Sequence, residues 1–438
     1  MTGFSHRGGN LFCEDLPVAD LAARYGTPLY VYSRRAILHA FAEMKRAFRQ
    51  ARPLIFYSIK ANSNIGILRT LARAGAGFDV VSGGELFRAL HAGANPNRIV
   101  FSGVGKTDEE IAHALRARIF MLNVESAEEL AAVNRIARHL GVRAHVALRV
   151  NPDVDARTHA KTTTGRKESK FGIDLPTAQR LLAERANYPA ADICGIHMHL
   201  GSPIYTVMPF LRAMKRVSAL VARARQDGAH LSVLNVGGGF AISYDGRPVI
   251  QPEDYARVIL PAVKSLRLRL CIEPGRFIVG NAGILVGRVI RKKVGWHGRR
   301  FLIVDAGMND LVRPALYGAR HHIWPVCGPP SPAFGSGRRP AGSDGWERVD
   351  VVGPICESSD CFGCDMLLPP TREGDLLAIY SAGAYGMAMA STYNSRPRAC
   401  EVLVSGRRAR VIRRRETYKD LIRGEDVPDG TPPQGRRG

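Results

Sequence analysis

Eight short apolar runs, spaced at near-even intervals between residues 54 and 274, limit what this chain can fold into more than any other feature. They are LIFYSI (54–59), FDVVS (78–82), IVFSG (99–103), FMLNV (120–124), HVALRV (145–150), CGIHMHL (194–200), LSVLNV (231–236) and LRLCIE (268–273). Each is too short for a helix and apolar enough for an interior parallel strand. Between them lie segments of helical spacing, such as NIGILRTLARAG and SAEELAAVNRIARHLG. The second opens with Ser126 and carries Glu129 three residues later, which predicts a capping box. Eight strand–helix units fit a closed (β/α)8 barrel, which typically runs to about 250 residues. A doubly wound open sheet is the rival, but eight even spacings favour closure.

After residue 284 the long helical segments stop. The runs ILVGRVIRKKV, RFLIVDAG, DLLAIYSAG and CEVLVSGRRARVIRR predict a mainly β second domain. The expected organisation is an N-terminal segment, 1–35, packing on that β domain, then a barrel at 36–284 and a β-rich domain at 285–425. Residues 325–348, rich in Pro, Gly and Ser, read as a surface loop, and 426–438 as a disordered tail.

Lysine at position 60 ends an apolar run, FYSIK, where burying an ammonium costs several kcal/mol unless it is paired or neutral. In a barrel of this kind the chemistry gathers at the C-terminal ends of the strands. Those ends carry Lys60, Asp79 with Ser82, Asn151, His199 with Gly201 and Ser202, Gly237-Gly238-Gly239, and Glu273 with Arg276. A lysine can form an imine with an aldehyde. A glycine run lets backbone N–H groups approach a phosphate, and Ser202 and Arg276 add donors. Glu273 could keep a pyridine nitrogen protonated, and an imidazole could stack on the ring. Together these are the parts that bind pyridoxal phosphate, with burial of Lys60 expected to help supply a neutral amine.

Composition excludes other classes. The formal net charge is +23, yet only 11 of the 62 basic residues are lysine and the arginines are scattered. Without a zinc-finger spacing, an aromatic RNA-binding motif or a long basic tract, nucleic acid is not an expected partner. A positive field that draws in anionic ligands and arginine-rich codon usage explain the charge equally. The chain has no run of eighteen apolar residues, and MTGFSHRGGNLFCEDLP lacks a signal-peptide core. A cytoplasmic enzyme with no membrane partner is therefore expected. Eight cysteines in such a chain do not suggest a disulfide framework.

The motifs FYSIKAN, FDVVSGGEL, SKFGI, HMHLGSP, NVGGGF, EPGRFIVGNAG, VDAGMNDLVRPALYGARH, VVGPICESSD and AGAYGMAMASTYNSRPR occur in this order, within a likeness to a known family that runs from about residue 10 to 425. In them the chain resembles the fold-type III pyridoxal-phosphate decarboxylases. The resemblance implies that Lys60 is the imine lysine, with Asp79 nearby, and that His199 stacks on the ring of pyridoxal 5'-phosphate. Gly237, Gly238, Gly239, Ser202 and the Glu273-Pro274-Gly275-Arg276 turn would surround the phosphate and ring, with Glu273 at the pyridine nitrogen. It also implies a homodimer in which GPICES reaches the partner's site, so that Cys356 donates a proton to the carbon that loses carbon dioxide. Arg276, Arg313, Tyr317, Glu357 and Tyr385 would hold the substrate, Tyr385 also touching the cofactor. Arginine for a distal carboxylate and glutamate for a distal ammonium suit meso-2,6-diaminopimelate, which would give L-lysine. The family usually has Gly where Ser359 stands and a polar residue where Pro203 stands, and DCFGC after Ser359 is unusual. The same chemistry on ornithine, arginine or carboxynorspermidine is the first rival, and a non-catalytic homologue the second.

Three other patterns are set aside. Cys356, Cys361 and Cys364 give an iron–sulfur-like C-x4-C-x2-C, but Cys356 already belongs to a decarboxylase motif. GVGKT at 103–107 lacks the earlier glycine of a phosphate loop, because position 100 is Val. The pairs His197/His199 and His321/His322 have no third ligand at suitable spacing, so no metal is expected.

Overall fold

The structure, a computed structural model, describes residues 3–156, 170–330 and 344–425. Residues 331–343 of the expected loop and the whole 426–438 tail lie outside the described residues. Each of the eight apolar runs holds one strand: β1 (Leu54–Ser58), β2 (Gly77–Val80), β3 (Ile99–Phe101), β4 (Met121–Val124), β5 (Ala144–Asn151), β6 (Ala191–His197), β7 (Val233–Asn235) and β8 (Arg269–Ile272). Every neighbouring pair is parallel, and Cys271 opposite Leu54 joins β8 to β1, so the sheet closes into a barrel.

Because side chains alternate across a strand, the inward positions form layers. Phe56, Val100, Met121, Ala147, Val233 and Cys271 belong to one apolar cluster with Leu54. Two residues further along, toward the C-terminal ends, the inward positions turn polar: Ser58, Asp79, Ser102, Asn123, Arg149, His197, Asn235 and Glu273, all buried. An apolar plug therefore carries a polar ring, and the ring faces the barrel mouth.

Helices cover the barrel, and several of them start where a side chain satisfies one of their first N–H groups. Ser82, Thr107, Ser126 and Asp174 cap Gly83–His91, Asp108–Arg116, Ala127–His139 and Leu175–Ala183. The capping box expected at Ser126 is only half made. Ser126 Oγ accepts from Glu129 N at 3.0 Å, but the Glu129 carboxylate turns to Glu125 N and to Lys106 Nζ at 2.6 Å. Lys106, from GVGKT, spends its other donors on Gly103 O and Asn123 O and is only 1% exposed. It is a structural lysine that ties the β3 and β4 loops together. Replacing it with Met should lower unfolding free energy by about 3 kcal/mol, because the half-made pair leaves a buried carboxylate. Urea unfolding of the variant checks this.

In the second domain, Leu29–Ser33 lies between Gly283–Val294 and Cys400–Ser405. Gly283–Val294 continues to Arg300–Val304, which leads to Glu347–Val352 and the edge strand Cys361–Leu368. The N-terminal strand is thus central to this sheet. Tyr32 Oη donates to Glu401 Oε1 at 2.7 Å, and Tyr30 Oη to Asp310 O. No helix among the described residues is long and apolar enough to cross a membrane.

Candidate active site at the barrel mouth

Lys60 sits in the 3-10 turn Ile59–Ala61 that follows β1, and its Nζ lies 2.8 Å from Asp79 Oδ2. Asp79 is fully buried on β2 and also accepts from Ser58 Oγ at 2.7 Å and Ser102 Oγ at 2.9 Å. This corrects one expectation. Burial alone would lower the Lys60 pKa, but Asp79, helped by Tyr385 and Glu273, outweighs it and raises it above the ordinary lysine value. The amine is therefore charged and held, not neutral. It is also accessible, with 36% of the side chain open toward the mouth.

Across the ring, Glu273 stands at the end of β8. Its Oε1 accepts from Asn235 Nδ2 at 2.6 Å and Asn123 Nδ2 at 3.3 Å, while His197 Nε2 lies 3.2 Å from Oε2. Burial would push this carboxyl up, but His197, Lys60 and His199 bring it down to about 2. A carboxylate offers about four acceptor directions, so one remains for a further donor. His197, weighed above only as a metal ligand, is instead this carboxylate's partner.

The glycine run closes the wall between Glu273 and His199. A Cβ on Gly237 would meet Met198 O at 2.5 Å, one on Gly238 Glu273 O at 2.5 Å, and one on Gly239 Gly201 O at 2.7 Å. Gly237 N donates to Asn235 Oδ1, and Gly238 N to His199 Nδ1 at 3.1 Å. The latter bond makes Nδ1 the acceptor and leaves the proton of a neutral ring on Nε2. Burial, with Arg149 and Lys60, holds His199 well below the usual imidazole range. Pro274 O accepts from Ser58 N at 3.2 Å, and a Cβ on Gly275 would sit 3.0 Å from Ser58 and 3.1 Å from Ala61. The turn after β8 is thus packed directly on the lysine turn. Tyr385 joins it there, donating its N–H to Ala61 O at 2.8 Å from a left-handed conformation (φ 56°).

Above the mouth opens a cavity of about 640 Å3 whose lining includes His199, Ser202, Arg276, Arg313, Tyr317 and Tyr385. Arg276 Nε donates to Ser202 Oγ at 3.3 Å, and its guanidinium lies 4.8 Å from the Tyr385 ring centre. Tyr244 joins the two arginines: Arg276 Nη1 donates to its hydroxyl at 2.5 Å, and Arg313 stacks 4.6 Å over its ring. Arg313 donates to His321 Nε2 at 2.9 Å, and His321 in turn donates from Nδ1 to Tyr380 O at 2.8 Å. Burial and Arg313 lower the His321 pKa to about 3, so the imidazole is a neutral acceptor. Tyr244 and His321 were not expected here, the first because it lies in a loop without periodicity.

Cys356 and Glu357 do not line this cavity. They lie exposed on a loop whose shape is set by buried Asp360. Its carboxylate accepts from Ile355 N and Met308 N, each at 2.7 Å. Asn394 Oδ1 receives Cys356 N at 3.1 Å, and Tyr393 Oη donates to Glu357 Oε1 at 2.6 Å. Ser82 caps its helix, and Asn151 accepts from Asp153 N outside the ring.

A family model described as pyridoxal-dependent decarboxylase, pyridoxal binding domain, matches residues 34–280. Diaminopimelate decarboxylase of Vibrio cholerae is 44% identical over 420 residues, 96% of this chain and 97% of that one. Among solved structures, diaminopimelate decarboxylase from Helicobacter pylori complexed with L-lysine superposes with a TM-score of 0.86 at 41% identity, covering 93% of this chain and 98% of that one. The enzyme of M. jannaschii in co-complex with L-lysine gives 0.90 at 36% identity, with 98% and 99% covered.

Proposed function

The chain belongs to the pyridoxal-dependent decarboxylases, and from that premise we propose that it converts meso-2,6-diaminopimelate to L-lysine and carbon dioxide with pyridoxal 5'-phosphate as cofactor. The observation that carries this reading is the convergence on one barrel mouth of a held amine, a buried ionised carboxylate and a cavity with two arginines. The L-lysine complexes of two relatives agree with the product.

The residues fit the cofactor. The wall at Gly237–Gly239 has no room for a side chain, and Glu273 keeps an acceptor direction for a ring N–H. When bound, pyridoxal phosphate supplies an electrophilic carbon for amines and a sink for the electron pair of the bond that breaks. Lys60 provides the amine that anchors it, and Asp79 fixes where that amine points. Glu273 holds a proton at the pyridine nitrogen. His199, its Nδ1 pinned by Gly238, presents its ring face. Gly239, Ser202 and Arg276 are left to meet the phosphate, because Gly237 and Gly238 spend their N–H groups inside the protein.

Arg313, Tyr317, Arg276 and Tyr385 hold the substrate. Arg313 is oriented by His321 and lines the cavity, where its guanidinium can meet a carboxylate. Cys356 and Glu357 enter from the partner subunit of a homodimer, a reading supported by their exposure and their absence from the lining of their own chain's cavity. Glu357 meets the distal ammonium, and Cys356 delivers a proton to the carbon that has lost carbon dioxide. The enzyme works in the cytoplasm.

Purified protein should release carbon dioxide from meso-diaminopimelate and form lysine at rates well above those with ornithine, arginine or carboxynorspermidine. Product analysis on this panel decides the substrate, and a clear preference for any of the other three overturns it.

A further inference from the structure

Cys361 and Cys364 lie three apart on the edge strand Cys361–Leu368, an odd spacing that places side chains on opposite faces of a regular strand. Here their sulfurs are 2.9 Å apart. The cause is the register with Glu347–Val352. Val349 faces Met366, Val351 faces Gly363 and Val352 faces Cys361, so the edge strand is bulged at both steps. Asp365 takes a left-handed conformation (φ 51°) within the distortion, pinned by its N–H to Asp350 Oδ1 at 2.7 Å and by Arg348 on its carboxylate. The fold thus spends two irregularities to bring two thiols together. Cys364 is exposed and Cys361 half-buried.

From this juxtaposition we propose that Cys361 and Cys364 form a redox-active dithiol, closed to a disulfide by exchange with a low-molecular-weight disulfide, and that closure slows turnover by shifting the Cys356–Glu357 loop. The exposed Cys364 thiolate attacks the external disulfide, which releases one small thiol and leaves a mixed disulfide. Cys361, losing its proton to solvent, then attacks the Cys364 sulfur and expels the second thiol. Two electrons pass from the pair to the external disulfide, and two protons end on the released thiols.

Closure must draw the sulfurs together by about 0.9 Å, from 2.9 Å to a bond of about 2.05 Å. The movement begins next to the residue that shapes the loop. Cys361 N donates to Ser359 O at 2.8 Å, and Asp360, one position earlier, holds the N–H groups of Ile355 and Met308. The same edge strand packs on the helix Arg313–Tyr317, which carries two residues of the cavity. A misplacement on the order of 1 Å at a reacting group can cost about a hundredfold in rate. The effect on turnover rests on the role assigned above to Cys356, whereas the dithiol itself does not.

The test treats the full-length, cofactor-loaded enzyme with oxidised glutathione, alkylates remaining thiols, and cuts before Asp360 and Asp365. The 360–364 peptide should be lighter by two hydrogens and carry no alkyl group, while Cys356 stays alkylated. Turnover should fall about ten- to a hundredfold with little change in KM. Dithiothreitol should restore it, and Cys364→Ser should keep its activity under the same treatment. Full alkylation of Cys361 and Cys364, or separate glutathione adducts on them, overturns the dithiol whatever the enzyme's activity. An equal loss of turnover in Cys364→Ser, or no loss in a fully closed wild type, overturns the coupling.

Discussion

Lys60→Ala protein is expected to fold normally and yet lose turnover by about 10^4-fold or more, the scale seen when a covalently acting residue is removed. The fold survives because Asp79 keeps two other donors, Ser58 and Ser102, and its buried carboxylate is not left bare. What disappears is the amine that Asp79 holds at the barrel mouth. The visible absorbance of lysine-bound pyridoxal should vanish from the purified variant, while free cofactor added to it should restore neither absorbance nor rate. A Lys60→Ala enzyme that keeps both would refute the anchoring role.

The second large effect concerns Cys356. Its replacement by Ala should leave substrate binding nearly intact and reduce kcat by about 10²- to 10⁴-fold, the usual contribution of a placed general acid. Since Cys356 is absent from the lining of its own chain's cavity, the two variants should complement. Mixed under subunit exchange, Lys60→Ala and Cys356→Ala chains form heterodimers in which one site has both groups intact. With random pairing about half the dimers are mixed, so activity should recover to roughly a quarter of wild type by two-fold symmetry. Demonstrated exchange without recovery would place Cys356 in its own subunit's chemistry or outside it altogether.

Much of the barrel was legible because its information is local: a parallel strand buried on both faces announces itself as an apolar run, and all eight did. The ends of those runs also exposed Lys60, Asp79 and Glu273. The rest of the polar ring was harder to see, although a signal existed. Ser102, Asn123, Arg149, His197 and Asn235 each stand two residues beyond an inward apolar or glycine position, so stepping by two from the plug would have found them. Tyr244 and His321 carried no such signal, because their place depends on loops meeting across the mouth. The Lys60 charge was misjudged for a related reason. Burial is visible in a run of apolar residues, whereas the strength of a carboxylate 2.8 Å away is a property of the assembled ring. The bulges that join Cys361 to Cys364 arise from pairing with a distant strand, which sequence spacing alone could not reveal.

The place of Leu29–Ser33 at the centre of the second sheet has a consequence for the order in which the molecule assembles. Barrel strands β1 to β8 arrive at the ribosome exit in one continuous stretch and can pair as they come, since no partner outside residues 54–272 is needed for closure. Leu29–Ser33 emerges before any of them, yet its neighbours are Gly283–Val294 and Cys400–Ser405, and Tyr32 must wait for a glutamate 369 residues downstream. A fully buried strand is therefore the earliest part of this sheet to be made and among the last to be covered, and it must be shielded from other chains in the interval. Contacts of such long sequence separation form slowly. The barrel mouth, with its lysine and its polar ring, can thus take shape before the cavity-lining Arg313 has emerged.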